Sequence, residues 1–165
     1  MNKCDCQIPI TKENINYKCP RTWKMISQGA TTGVFQFESN LGKSWTKKIK
    51  ANCEEELSDI NSGLRPGALD ARDPKTGKKM TQLYCDRKYG KENYESLHES
   101  IDDILAPTHG NILFQEQAMR IAVMLAGFTE QESDKLRKGI GKKLPEVIAE
   151  IRLMFIEGCK KVGIV

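Results

Sequence analysis

The sequence predicts a mainly α-helical protein, a multi-helix domain with one or two short extended segments near residues 31–39, and three observations carry that expectation. Residues 112–126 are mostly strong helix formers, and Met119, Ala122, Val123 and Ala126 recur at i, i+3, i+4 and i+7, one apolar stripe. Gly127 then stands where a left-handed residue closes a helix, and Thr129 with Glu132 three positions on is a capping box that opens another. Pro145 suits the first position of a helix that runs to Val162, with Ile148, Ile151, Phe155 and Val162 along one side.

Taken in order, residues 1–18 are polar, carry Pro9 and show no period, which reads as an extended lead-in. A single domain is expected over 19–165. Trp23, Met25 and Ile26 fit a short helix stopped by Gly29. Thr31 to Ser39 alternates, placing Phe35 and Phe37 on one face of a short strand or extended segment and Gln36 and Glu38 on the other. Leu41 to Ile49 reads as a helix with Trp45 inward, and Glu54 to Asn61 as another with acids in its first turn, as the helix dipole favours. Pro66 in Gly63-Leu64-Arg65-Pro66-Gly67 biases Arg65 towards extended backbone, so its guanidinium is presented from a stiff turn. Residues 70–93 look like a long, charged, mobile loop. Leu97, Ile101, Ile104 and Leu105 mark a helix that closes at Pro107.

At 165 residues, with 39% hydrophobic and 29% charged content, the chain suits one soluble domain with a core. The net charge of +4 is small but unevenly spread. Lys43, Lys47, Lys48 and Lys50 form one basic patch, and Arg72, Lys75, Lys78, Lys79, Arg87, Lys88 and Lys91 form another. Clustered cations on a mild total favour a polyanionic partner over a membrane, and no run reaches the roughly 18 apolar residues of a spanning helix. A cytosolic protein is expected. The six cysteines lack paired metal-ligand spacing; a zinc site from Cys4, Cys6 and Cys19 is conceivable, but free thiols are the better reading, with Cys159 a packing residue. Acids such as Asp102-Asp103 and Glu54-Glu55-Glu56 read as solvated helix residues rather than metal ligands.

The richest chemistry lies between Lys135 and Lys143, where Lys135, Arg137, Lys138, Lys142 and Lys143 occur with no acid. Gly139 and Gly141 leave that backbone free for left-handed or close-approach geometry, and the following helix start offers N–H groups. Both features attract anions. Solvated lysines that merely complement a helix C-terminus would look the same in composition.

Gly33-Val34-Phe35-Gln36-Phe37-Glu38-Ser39, Arg65-Pro66-Gly67, His98-Glu99-Ser100, Phe114-Gln115-Glu116-Gln117, Ala126-Gly127-Phe128 and Asp134 through Lys143 occur in an order that resembles the fingers region of the α subunit of bacterial DNA polymerase III, the family C replicative polymerases. The resemblance covers about residues 19–165, and Cys19-Pro20-Arg21-Thr22-Trp23 suggests a phage-type member. It implies a fragment of a DNA-directed DNA polymerase that closes on the triphosphate of the incoming dNTP. Arg137 and Lys138 would contact the phosphates with Lys142 and Lys143 close behind, and Arg65, Gln115 and Gln117 would line the nucleotide-binding side. Primer–template DNA and a palm-bearing polymerase chain are the implied partners. The palm aspartates, and the Mg2+ they would hold, are expected outside this chain, so no catalytic residue is assigned here and the isolated chain is expected to be inactive. Two departures stand out. Lys138 replaces the family's second arginine, keeping charge but losing bidentate geometry, and Phe114 replaces a tyrosine. The alternative is a non-catalytic nucleic-acid-binding or helical interaction module derived from the fingers.

Overall fold

The computed structural model describes residues 11–164. Among them it forms helices α1 (Pro20–Ser27), α2 (Asn40–Ile49), α3 (Glu54–Gly63), α4 (Pro66–Asp70), α5 (Met80–Lys88), α6 (Asp102–Leu105), α7 (Gln115–Ala126), α8 (Glu130–Lys142) and α9 (Pro145–Val162). The chain divides into two compact units, Met1–Cys85 and Asp86–Val165. No helix among the described residues is long and apolar enough to cross a membrane.

In the first unit the lead-in expected over 1–18 is described only from Thr11, so Cys4 and Cys6 lie outside the described residues. Residues 11–18 are turns, with Asn14 N–H donating to Thr11 O at 3.3 Å. Pro20 opens α1 as its first residue, and Gly29 takes a left-handed φ of 67° beyond the helix. The extended segment expected over 31–39 is not there. Val34 N–H donates to Thr31 O and Phe37 N–H to Val34 O, closing successive turns, while Gly33 and Gln36 both have positive φ. The Thr31 hydroxyl ties the segment shut on Phe37 O at 2.6 Å. With local carbonyls satisfying the backbone, the strand alternation has no partner to serve, and the two phenylalanines part: Phe37 is 7% exposed and Phe35 82%. Ser39 then caps α2, its Oγ accepting from Gly42 N at 3.0 Å, and Trp45 and Ile49 face inward.

The expectation of a mobile loop over 70–93 also fails. An isolated antiparallel bridge pairs Arg72 with Lys79, Asp73 Oδ1 accepts from Thr76 N at 2.6 Å to hold the turn between them, and α5 follows. Leu83, Tyr84 and Cys85 of α5 are all buried. The Tyr84 hydroxyl donates to Asp59 Oδ2 on α3 at 2.7 Å. Consecutive buried residues make α5 a core segment without an amphipathic stripe, so charge on both sides of it masked its place in the fold.

The second unit packs α7, α8 and α9 against one another. One core cluster joins Ala122, Ala126, Phe128, Ile151 and Cys159; another joins Ile101, Ile104, Leu105 and Ile121. Helices α7 and α9 meet at Gly158, where a Cβ would lie 2.2 Å from Ala126 O, so only glycine fits. Cys159 is buried beside it as a packing residue. Leu97 is 67% exposed and lies off the buried face; residues 99–108 are a 3-10 turn, the four-residue α6 and a second 3-10 turn containing Pro107. The buried face of α7 is Gln117, Ile121, Ala122 and Ala126, rotated from the expected stripe, and Val123 is 43% exposed. On α9, Ile151 is buried, but Ile148 and Val162 are exposed.

Candidate anion-binding surface

The local sequence fixes where α8 begins. Thr129 Oγ1 accepts from Glu132 N at 3.3 Å, and Glu132 Oε2 accepts from Thr129 N at 2.8 Å, the reciprocal pair of a capping box. Those bonds to the Thr129 backbone and hydroxyl hold the Glu132 carboxyl below its usual pKa. Gly127, at φ 65°, closes α7 immediately before. Contrary to a glycine-punctuated turn, α8 runs helically through Gly139 and Gly141 and ends at Lys142, with Lys143 left-handed at φ 50°. Gly139 serves close packing instead: a Cβ there would meet Ile148 Cδ1 and Val147 Cγ1 of α9 at 3.1 Å. Lys135 forms an exposed ion pair with Glu150 of α9.

An adjoining face of α8 carries the charge. At about 100° per residue, Asp134, Arg137, Lys138, Gly141 and Lys142 occupy one arc of about 140°. Arg137 donates to Asp134 Oδ1 from Nε at 3.0 Å and from Nη2 at 2.8 Å, while Lys138 Nζ lies 2.6 Å from Oδ2. These bonds, from Lys138 first and Arg137 second, hold the Asp134 carboxyl below its ordinary pKa. The arrangement is solvent-facing: the Arg137 side chain is 44% exposed, and Lys142 and Lys143 are exposed. The Gln115 amide reaches this arc as well, since its Nε2 lies 3.5 Å from where a Cβ on Gly141 would stand. Arg137, Lys138, Gln115 and Lys142 therefore share a surface at the start of α7 and the end of α8.

One of the expected site residues is turned inward. Gln117 is buried, and its amide is consumed by the protein: Oε1 accepts from Leu113 N and Phe114 N, and Nε2 donates to Ile104 O and Thr108 Oγ1, at 2.8–3.1 Å. It fastens the loop before α7 and has no donor or acceptor left for a ligand. Arg65 belongs to the first unit, where it is the exposed N-cap of α4 in the extended conformation (φ −67°, ψ 142°) that a following proline favours. Reasoning from the sequence missed the clamp role of Asp134. Its signal was the Asp-x-x-Arg-Lys spacing, which puts one carboxylate under two cations on a helix. Among the described residues no group of three or more His, Cys, Asp or Glu side chains could hold a metal ion. Asp102 accepts from Ser96 Oγ at 2.7 Å and serves its own loop.

The family model of the bacterial DNA polymerase III alpha subunit finger domain matches residues 1–163. The chain is 39% identical over 150 residues to the DNA polymerase III subunit alpha of Haemophilus influenzae, covering 88% of this chain and 12% of that protein. It is 36% identical over 154 residues to the subunit of the same name from Bacillus subtilis, covering 93% of this chain and 13% of the relative. For Escherichia coli K12 the figures are 38% over 149 residues, 87% and 12%. The chain thus spans about an eighth of the length of the relatives it matches.

Proposed function

We propose that this chain, which belongs to the family of the bacterial DNA polymerase III α-subunit finger domain, grips the triphosphate of an incoming deoxynucleoside triphosphate for a DNA-directed DNA polymerase in DNA replication. The observation that carries this reading is the solvent-facing arc of Arg137, Lys138 and Lys142 with the Gln115 amide beside it. Arg137 presents a planar fork suited to two phosphate oxygens, and Lys138 and Lys142 add mobile point charges. In the free chain the Asp134 carboxylate occupies the same donors that a phosphate would take. Triphosphate binding is then an exchange of partners, with one carboxylate giving way to more highly charged phosphate oxygens. The cations also oppose the negative charge that builds on a departing pyrophosphate, which favours the transition state as well as the bound nucleotide.

Magnesium would supply charge neutralisation in the complete polymerase, and among the described residues no group of three or more His, Cys, Asp or Glu side chains offers it a site. The metal-binding carboxylates are assigned to a palm-bearing polymerase chain, which together with primer–template DNA completes the site. Complementation tests the reading. Adding a palm-bearing chain to this one gives primer extension, and Arg137→Ala raises the KM for dNTP about tenfold, a loss of roughly 1.4 kcal/mol of binding, while DNA affinity changes less than about twofold. Equal losses of nucleotide use and DNA binding would sink it.

A further inference from the structure

We infer that α7 and the start of α8 form a self-complementary surface through which two copies of this chain associate about a two-fold axis. A groove of about 510 Å3 runs between these two helices, within the second unit. Met119, Arg120, Val123 and Met124 line it from α7, and Glu130 and Ser133 line it from α8. At about 100° per residue the four α7 residues share one arc of about 140°. Val123 is 43% and Met124 50% exposed, so large apolar side chains meet water side by side here. A continuous apolar patch rimmed by charge marks an interaction surface.

The charged rim selects the occupant. Arg120 and Glu130 are both exposed, and neither has a hydrogen-bond or ion-pair partner among the described residues. A free cation and a free anion thus flank the same apolar strip, an arrangement that a two-fold interface uses twice. Running two copies of α7 antiparallel, with the axis between Val123 and Met124, sets Arg120 of each opposite Gly127 of the other, because each lies three residues from that axis. Glu130 follows Gly127 by three residues, about one helical turn, so the guanidinium of one copy reaches the Glu130 carboxylate of the other. Met119, Val123 and Met124 of each copy then cover those of the other, and the unbranched methionines adapt their shape to the contact. Glu116, exposed one turn before Arg120, lies past this pair and opposes Glu130 of the second copy.

Ser133 is an independent sign that the groove lacks an occupant. It is 3% exposed, and its hydroxyl has no hydrogen-bond partner among the described residues, while its N–H donates to Thr129 O at 2.9 Å within the helix. A buried hydroxyl without a partner is uncommon in native proteins and marks a place where a polar group is received. Ser133 stands one turn after Glu130 and lines the groove beside it. A guanidinium that meets the Glu130 carboxylate therefore also presents donors to Ser133 Oγ. A small apolar ligand would cover the methionines and leave both charges unpaired; a second copy supplies the apolar face, the cation and the anion together. The contact uses no residue of the triphosphate surface and does not rest on that reading.

Sedimentation equilibrium of the 165-residue chain, from low micromolar to millimolar concentration, tests the surface. A contact made by one helix face and one groove is small for a protein interface, so a dimer with a Kd of about 100 µM is expected. Arg120→Glu and Glu130→Arg, each alone, place like charges across the axis and are each expected to weaken association about tenfold. An equimolar mixture of these two variants restores opposite charges at both pairs and is expected to associate within about threefold of wild type. Two misfolded chains would not rescue each other, so the mixture keeps the test decisive whatever either variant does to stability. Ser133→Ala is expected to weaken the dimer about threefold without lowering the melting temperature, and Glu116→Gln to tighten it about twofold. A chain that stays monomeric at millimolar concentration overturns the proposal and leaves the groove to another protein or to a small apolar molecule. Single charge variants that dimerise like wild type, a mixture no stronger than its parts, or an unchanged dimer in Ser133→Ala also overturn it, by reducing the association to unspecific apolar contact.

Discussion

Two polar networks in the second unit, one centred on Gln117 and the other on Asp134, stand less than twenty residues apart in sequence and have opposite characters. The Gln117 amide is buried and makes four hydrogen bonds to Ile104, Thr108, Leu113 and Phe114. Asp134 accepts from Arg137 and Lys138 in the open, on side chains about half exposed. Inside, where water cannot replace a lost partner, each bond is obligatory and the geometry is single. Outside, water and ligand oxygens compete for the same donors, so the ion pairs are exchangeable and contribute little to stability. The difference separates residues that hold the site in place from residues able to release one partner and take another. Both belong to the motifs that resemble the polymerase family, so the motif alone does not tell them apart.

The comparison is broken or sharpened most strongly at Gln117. Gln117→Leu leaves Ile104 O, Thr108 Oγ1 and two backbone N–H groups short of partners, and is expected to cost about 2–4 kcal/mol in a denaturant titration. A loss below about 1 kcal/mol would place Gln117 among the exchangeable residues and reopen it as a ligand contact. The buried pair in the first unit provides the next test. Burial, followed by the hydrogen bond to Asp59, pushes the Tyr84 hydroxyl well above the ordinary tyrosine pKa. A raised folded-state pKa gives stability that is fully present below the unfolded value near 10 and is lost as pH rises past it. Unfolding experiments from pH 8 to 11 should therefore show stability falling in alkali, with Tyr84→Phe removing that dependence and costing about 1–2 kcal/mol at neutral pH.

Asp134→Asn separates the two networks by sign. It should leave the melting temperature unmoved and strengthen triphosphate binding several-fold, because Arg137 and Lys138 lose a competing carboxylate. Since the Asp134 pKa is depressed, the wild-type ion pairs persist above the usual aspartate value and are lost only as pH falls through the lower folded value. The affinity gap between wild type and variant should accordingly be flat from pH 5 to 9 when read by calorimetry. A drop in melting temperature like that of Gln117→Leu would mean that Asp134 is structural. The smallest effect is expected at Val123, a residue of the expected apolar stripe that lies 43% exposed; Val123→Ala should stay within about 0.5 kcal/mol of wild type.

What could be read directly from the residues was whatever depends on near neighbours in the chain. Gly127, the Thr129–Glu132 box and Pro145 mark helix boundaries because capping bonds reach only about three or four residues, and α8 and α9 begin where these signals place them. The polymerase-family motifs and the cationic composition of α8 were equally legible, as was the extended Arg65 before its proline. Only the tertiary structure decided which surface each helix buries. Gln117 turns inward because Ile104 and Thr108 supply partners, and α7 is rotated from its expected stripe because α9 packs where Gly158 lets the backbone approach Ala126. That Lys48, Lys78 and Lys79 line one groove was likewise decided by the tertiary structure. Local signals set where a helix starts and stops; the direction of a side chain depends on desolvation against atoms far along the chain, and no short window of sequence contains them.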